Sequence, residues 1–358
     1  MISSASSAAP GLLEARLLAL AREAARWQPT AGGRVEKLPG QASNRVYYRV
    51  HLGAAAAPSY IAMVMPKDGA HSEEATSGAA PAELPFLNIQ RYLALAGVPV
   101  PAVHRAALEE GTLLLEDLGD VTLEAALATT PASQLYGAAI DVLADLRVRA
   151  EAHPDAGCLA FRRSFDSALY RWELDHYQEY GLAARTGAAS PAEATVLARS
   201  FDALAEELAA LPRGFTHRDY QSRNLMVAPR GLVVIDFQDA LLGPRQYDLV
   251  ALLRDSYVEL SDALVDDLLA RYIDRVQTQT GERLDAAAFR HTFDMLTVQR
   301  KLKDGGRFEF IARVKGNPTF LPHVPTSFGY VARALERLPA HGELLKVLRA
   351  HHPELRGH

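Results

Sequence analysis

The sequence predicts an α+β chain of two lobes, a small strand-rich N-terminal lobe followed by a larger, mainly helical C-terminal lobe. Three observations lead there. Apolar residues alternate at short period between residues 35 and 65 and again at 111–115, with small-residue turns between the runs. From Thr122 onward the helical period dominates. The chain has 358 residues, 49% of them hydrophobic and 23% charged, enough to bury the cores of two domains.

Leu12 to Trp27 carries Leu13, Leu17, Leu20 and Ala24 at helical spacing and is predicted as an amphipathic helix. Strands are expected over Val35–Gly40, Val46–Leu52 and Tyr60–Met65, with Gly53–Ser59 as a connection. Lys67 to Pro81, rich in Gly, Ala, Ser and Glu, reads as a loop. A helix over Phe86–Leu95 is stopped by Val98-Pro99-Val100-Pro101, because proline removes a donor and restricts the residue before it. Gly111 to Leu115 is a strand, and Glu116-Asp117-Leu118-Gly119 a turn or hinge. The lobe boundary is placed there, residues 1–117 before it and 118–358 after it. Helices follow over Leu123–Ala128, Gln134–Ala150, Phe165–Tyr180 and Pro191–Leu211. Two short strands, Leu225–Val227 and Leu232–Ile235, interrupt them before helices resume at Asp248.

Net charge is −5, so no global basic field exists to hold nucleic acid by its phosphates. The one cysteine, Cys158, offers neither a disulfide framework nor zinc spacing, which fits a reducing cytoplasm. No run of 18 apolar residues suggests a membrane span. Met1–Pro10 lacks the basic start of a signal peptide and is expected to fray. The expected partners are small molecules, with neither nucleic acid nor membrane.

The chemistry is concentrated in Thr216-His217-Arg218-Asp219-Tyr220-Gln221-Ser222-Arg223-Asn224, followed by a hairpin and Asp236-Phe237-Gln238-Asp239. Phosphoryl transfer needs an acceptor oxygen in line with the phosphorus, and cations across the phosphate oxygens. Magnesium takes hard oxygen ligands. One loop can present a carboxylate to an acceptor hydroxyl (Asp219) and an amide oxygen to a metal (Asn224). A hairpin turning at Pro229-Arg230-Gly231 can then return a second carboxylate, Asp236. A single Asp or Asn in a loop is more often a cap or turn former. The spaced set followed by a hairpin is the informative feature. His217 is read as bracing the loop by hydrogen bonding rather than moving protons.

These residues resemble the catalytic and metal-binding loops of the aminoglycoside phosphotransferases and their choline and sugar kinase relatives. The longer strings Asp236–Ala240 and Leu252–Asp255 are similar to those of bacterial anomeric kinases of N-acetylmuramate and N-acetylglucosamine. The resemblance implies a bilobal protein-kinase-like fold, ATP and magnesium. Asp219 then matches the base, Asn224 and Asp236 the metal ligands, and Asp248 a buried carboxylate that holds the catalytic loop. Glu116 and Leu118 match the hinge that meets adenine, and Ser43, Asn44 and Arg45 lie where a phosphate-covering turn is expected. Arg254 and Asp255 are candidates for the acceptor site.

One departure stands out. Met63 or Met65 occupies the strand position where such kinases carry a lysine, leaving Arg45 or Lys67 as candidate phosphate partners and Glu83 as either the lost lysine's partner or a first-turn acid. The run Gln299, Arg300, Lys301, Lys303, Arg307, Arg313 and Lys315 is expected to be mostly solvated, with one arginine able to reach a substrate carboxylate. Tyr170, Trp172, Tyr177 and Tyr180 suit either a sugar face or a helical core, and core spacing is favoured. Other acceptors (an aminoglycoside, choline, homoserine or methylthioribose) remain open, as does a non-catalytic nucleotide-binding protein.

Overall fold

The computed structural model describes residues 10–26, 32–39, 45–53, 58–66 and 83–355. Ser43, Asn44 and Lys67 lie outside the described residues. The chain forms two compact units, one drawn from residues 1–80 and 100–120 and the other from 81–99 and 121–358.

The first unit is an antiparallel sheet backed by one helix. Strands β1 (Arg34–Lys37), β2 (Val46–His51), β3 (Ser59–Val64), β4 (Val103–Ala107) and β5 (Thr112–Glu116) are ordered β1-β2-β3-β5-β4. The period-2 pattern puts Val50, Tyr60, Ala62 and Leu114 on one face, where they pack with Leu17, Leu20 and Ala21 of helix α1 (Pro10–Ala25). Met63, paired with Tyr47 and Leu113 across the sheet, is fully buried. Strand β4 was not expected. Its sequence, Val-His-Arg-Ala-Ala, is mostly exposed and lacks an apolar alternation, so only its pairing with β5 defines it.

The second unit is mainly helical. It contains α2 (Pro85–Leu95), α3 (Leu123–Ala126), α4 (Ala132–Ala152), α5 (Ser167–His176), α6 (Ala184–Thr186) and α7 (Pro191–Ala209). After α7 come α8 (Gln246–Leu253), α9 (Asp262–Thr280), α10 (Ala286–Val314), α11 (Val324–Glu336) and α12 (Gly342–His351). A π-helical turn, Tyr177–Ala183, joins α5 to α6. Two small antiparallel pairs interrupt the helices: β6 (Gly214–Thr216) with β9 (Leu241–Gly243), and the hairpin β7 (Leu225–Ala228) with β8 (Gly231–Val234). Pro229 and Arg230 form the hairpin turn and Gly231 follows at φ 103°, as the sequence suggests.

Helix α10 runs through the core of this unit. It buries Phe293, Leu296 and Leu302 together with Gln299, Arg300, Lys301 and Lys303. It also crosses the π turn closely. A Cβ at Gly306 would stand 2.7 Å from Tyr177 Cα.

Candidate active site

Strand β6 delivers the chain into His217-Arg218-Asp219, and the first turn of α8 supplies the group that holds this loop. Asp248 accepts the His217 N–H at 2.7 Å and the Arg218 N–H at 2.9 Å. Its carboxylate is buried, which raises its pKa against the opposing pull of His217 and those two N–H groups. Arg218 takes φ 80°, in the left-handed region that a side chain disfavours by about 1–3 kcal/mol. The two bonds to Asp248, and a buried ion pair from Arg218 Nη2 to Glu173 Oε1 at 3.1 Å, over-determine that conformation.

His217 is fully buried. Its Nε2 lies 2.9 Å from the Ile235 carbonyl and its Nδ1 accepts the Asp219 N–H at 3.2 Å. The Ile235 carbonyl can only accept, so Nε2 donates to it. The ring ties the loop to the end of the hairpin, the bracing role read from the sequence.

Asp219 is the loop's accessible carboxylate, its side chain 34% exposed. Arg300, from the middle of α10, donates through Nη2 to Asp219 Oδ1 at 3.2 Å and through Nη1 to the Arg218 carbonyl at 2.7 Å. Burial alone would raise the Asp219 pKa. The charges of Arg300, then Lys303 and Arg218, outweigh it and hold the carboxyl well below its usual range.

Asn224 and Asp236 meet beside Asp219. Asn224 Nδ2 donates to the Asp219 carbonyl at 2.8 Å and lies 3.4 Å from Asp236 Oδ2. Asp236 also has a left-handed backbone, φ 66°, and accepts from Gln238 Nε2 at 2.9 Å. The Asn224 amide nitrogen is spent within the loop, so its oxygen is the atom left to meet a cation. One amide oxygen and one carboxylate suit magnesium, which keeps several waters and draws its other ligands from phosphate. Among the described residues no group of three His, Cys, Asp or Glu gathers at one point.

Arg254 and Asp255 are both buried and bonded to partners within the helical unit. Arg254 is 2% exposed, paired with Asp262 at 2.8 Å and set against the Phe293 and Tyr330 rings. Asp255 is equally buried and accepts from the Ser222 N–H and hydroxyl and the Tyr257 N–H. It pins the loop between Asp219 and Asn224. The basic run is solvated only at its end, where Arg313 and Lys315 are exposed and Arg307 half-buried, for Gln299, Arg300, Lys301 and Lys303 are all buried. Arg300 is committed to Asp219, which takes it away from any substrate carboxylate. Tyr170 and Tyr177 are core residues, whereas Trp172 is exposed.

In the strand-rich unit, the Glu116 carboxylate accepts the Ala102 N–H at 3.0 Å, and its own N–H bonds the Ala102 carbonyl at 2.9 Å. Neither backbone group of Leu118 has a hydrogen-bond partner among the described residues. Arg45 is half-buried just before β2. Sequence reasoning missed Arg49, which reaches from β2 to Asp117 at 2.9 Å and Asp120 at 2.7 Å and ties down the segment that follows β5. The signal was an arginine inside an apolar alternating run. In the helical unit, Glu83 lies just before α2 rather than in its first turn, pairs with Arg91 and accepts from Asn88, so its partners are on the helix that follows it. Those hydrogen bonds, that from Arg91 foremost, pull its pKa down to about 2.

A profile described as the phosphotransferase enzyme family matches residues 34–287. The chain belongs to this family. It is similar to an N-acetylmuramate/N-acetylglucosamine kinase of Pseudomonas aeruginosa, 36% identical over 267 residues that span 74% of this chain and 77% of the relative. A kinase of the same description from Pseudomonas putida is 34% identical over 262 residues, 73% of this chain and 75% of the relative. A choline kinase structure from Cryptosporidium parvum superposes with a TM-score of 0.61 at 13% identity, covering 92% of this chain and 97% of that one, and so shares its fold. This phosphotransferase is an ATP-dependent small-molecule kinase. None of its described helices is long and apolar enough to cross a membrane.

Proposed function

We propose that the chain phosphorylates the anomeric C1 hydroxyl of an N-acetylated amino sugar, N-acetylmuramate or N-acetylglucosamine, in the cytoplasm. The observation that carries this reading is the 36% identity, over three quarters of both chains, to a kinase described by those two sugars. The state of Asp219 supports it. A carboxylate held strongly acidic by Arg300 is a weak base, and a hemiacetal hydroxyl is more acidic than an ordinary alcohol.

In this reading Asp219 accepts a hydrogen bond from the acceptor hydroxyl and orients its oxygen toward the γ-phosphorus of ATP. The proton passes to Asp219 late, as the new O–P bond forms and the bridging oxygen leaves with ADP. Asn224 and Asp236 would hold magnesium, which when bound offsets charge on the phosphate oxygens. His217, Asp248 and Asp255 keep the loop in shape. The strand-rich unit, with Arg45 and the Glu116–Leu118 segment, serves the nucleotide; the helical unit serves catalysis and the acceptor.

A coupled ADP-release assay with ATP and magnesium tests this against N-acetylmuramate, N-acetylglucosamine, glucosamine, choline and kanamycin. Release confined to the N-acetylated sugars and abolished in their 1-O-methyl glycosides is the expected result. Release with the glycosides would move the acceptor away from C1. Release only with choline or kanamycin would overturn the sugar reading.

A further inference from the structure

Arg300, Asp304 and Phe308 recur every fourth residue on α10 and lie along one face of it. Arg300 meets Asp219. One turn on, about 5.4 Å along the axis, Asp304 Oδ2 accepts from Lys301 Nζ at 2.6 Å and lies 4.0 Å from Arg300 Nε. Its side chain is 15% exposed, and its Oδ1 has no hydrogen-bond partner among the described residues. A turn beyond that, Phe308 stacks on Phe320 at 5.6 Å, and His323 meets Tyr257 edge-on at 4.8 Å. Tyr257 follows Ser256, whose hydroxyl accepts a second hydrogen from the same Lys301 amine at 2.6 Å. Asp304 thus offers one carboxylate oxygen a turn of α10 beyond the arginine that holds Asp219, on the face that also carries Phe308, and Tyr257 is near enough to feel the charges of both Asp304 and Asp219.

Charge narrows what it can recognise. Asp304 is matched by Lys301, Asp219 by Arg300, and Glu173 by Arg218 and Lys303. Asp304 thus brings no unpaired negative charge to draw in a cationic acceptor. Its face of α10 offers instead a directional hydrogen-bond acceptor and aromatic surface, the pair of features that suits a neutral sugar ring.

We propose that Asp304 is a specificity-determining residue of the acceptor site, its Oδ1 accepting a hydrogen bond from a ring hydroxyl or the amide N–H of a neutral amino sugar held against Tyr257 and Phe320. This rests on the amino-sugar reading above. Burial pushes the Asp304 carboxyl up, but Lys301, Arg300 and Lys303 pull it below its usual value, so the acceptor oxygen stays ionised.

The test is steady-state kinetics with N-acetylglucosamine, its 3-, 4- and 6-deoxy analogues and 2-deoxyglucose. For the wild type, kcat/KM falls about tenfold or more on removal of the one group that Asp304 binds, because a site built to hydrogen-bond that group is left unpaired. Asp304→Asn raises the KM for N-acetylglucosamine about tenfold, leaves the KM for ATP within about twofold, and loses discrimination against that same analogue. Because this change strips Lys301 of its partner, Asp304→Asn with Lys301→Met is measured beside it, with melting temperatures for all forms. An unchanged acceptor KM in the folded variants, or a wild type that tolerates every analogue within about threefold, overturns the assignment of Asp304 alone. Wild-type turnover of choline or kanamycin in preference to sugars, or silence toward every acceptor, overturns the amino-sugar reading and this assignment together.

Discussion

Arg300 grips Asp219 by two routes, a 3.2 Å bond to its carboxylate and a 2.7 Å bond to the carbonyl of the residue before it. The guanidinium is 2% exposed and lies against the Tyr247 ring, 5.0 Å from its centroid. One side chain therefore sets both the direction of the proposed base and its affinity for a proton.

Arg300→Met removes the largest of the charges that oppose burial at Asp219, so the carboxyl pKa rises. Activity needs the ionised form, and that fraction then falls as pH falls. The variant is expected to lose about 100-fold in kcat and to show an acid limb in kcat/KM that the wild type lacks. A pH–rate profile between about pH 4.5 and 9 checks this, with stability confirmed at each pH. A variant profile parallel to the wild type's would mean that Arg300 does not tune Asp219.

Asp219→Asn and Asp236→Asn should each lower kcat by about 10²–10⁴-fold or more while the fold survives. At Asp236 the backbone stays unstrained, since asparagine tolerates the left-handed φ of 66° better than most residues. Circular dichroism and a melting curve separate lost chemistry from lost structure. Near-normal turnover in Asp219→Asn would remove it as the base.

Asp248→Ala would leave the His217 and Arg218 N–H groups buried without an acceptor. The expected cost is about 2–5 kcal/mol, with a proportionally larger fall in activity because the loop's left-handed turn at Arg218 depends on those bonds. Asp248→Asn keeps one acceptor and should fall between. Urea denaturation of the three proteins orders them.

Gly306→Ala brings a methyl carbon to 2.7 Å from Tyr177 Cα and 3.3 Å from the His176 carbonyl, both backbone atoms that cannot swing aside. The expected loss is about 1–3 kcal/mol, read as a melting temperature lower by several degrees.

His352 gives stability a pH dependence. Its ring is buried, with Nε2 2.7 Å from the Tyr177 hydroxyl and Nδ1 3.2 Å from Arg185, which can only donate. Burial, then the Arg185 charge, lowers its pKa from 6.5 to about 4. Between those values the unfolded chain binds a proton that the folded chain refuses. Its contribution is therefore complete above about pH 6.5, is lost progressively down to about pH 4, and levels off below, for a total on the order of 3 kcal/mol. Urea midpoints at pH 7.5 and 5 should differ more for the wild type than for His352→Gln.

The spacing of Asp219, Asn224 and Asp236 was legible in the sequence because it is local. Seventeen positions of chain and a hairpin with a two-residue turn carry the three side chains to one region. The strand-then-helix layout was legible for the same reason, since periods of 2 and 3.6 show within a few residues. Partners far apart in the chain were not. Arg300 stands 81 residues from Asp219, on a helix so thoroughly buried that its charged residues look solvated in sequence. Arg254 meets Asp262 and the Phe293 and Tyr330 rings, which come from other elements of the unit. Arg49 found Asp117 and Asp120 through sheet pairing alone. The sequence by itself determined which chemical groups the loop would offer. Tertiary packing decided which of them stay accessible, which charges offset one another and how acidic the base would be, because burial and charge pairing depend on residues that meet only once the helices have packed.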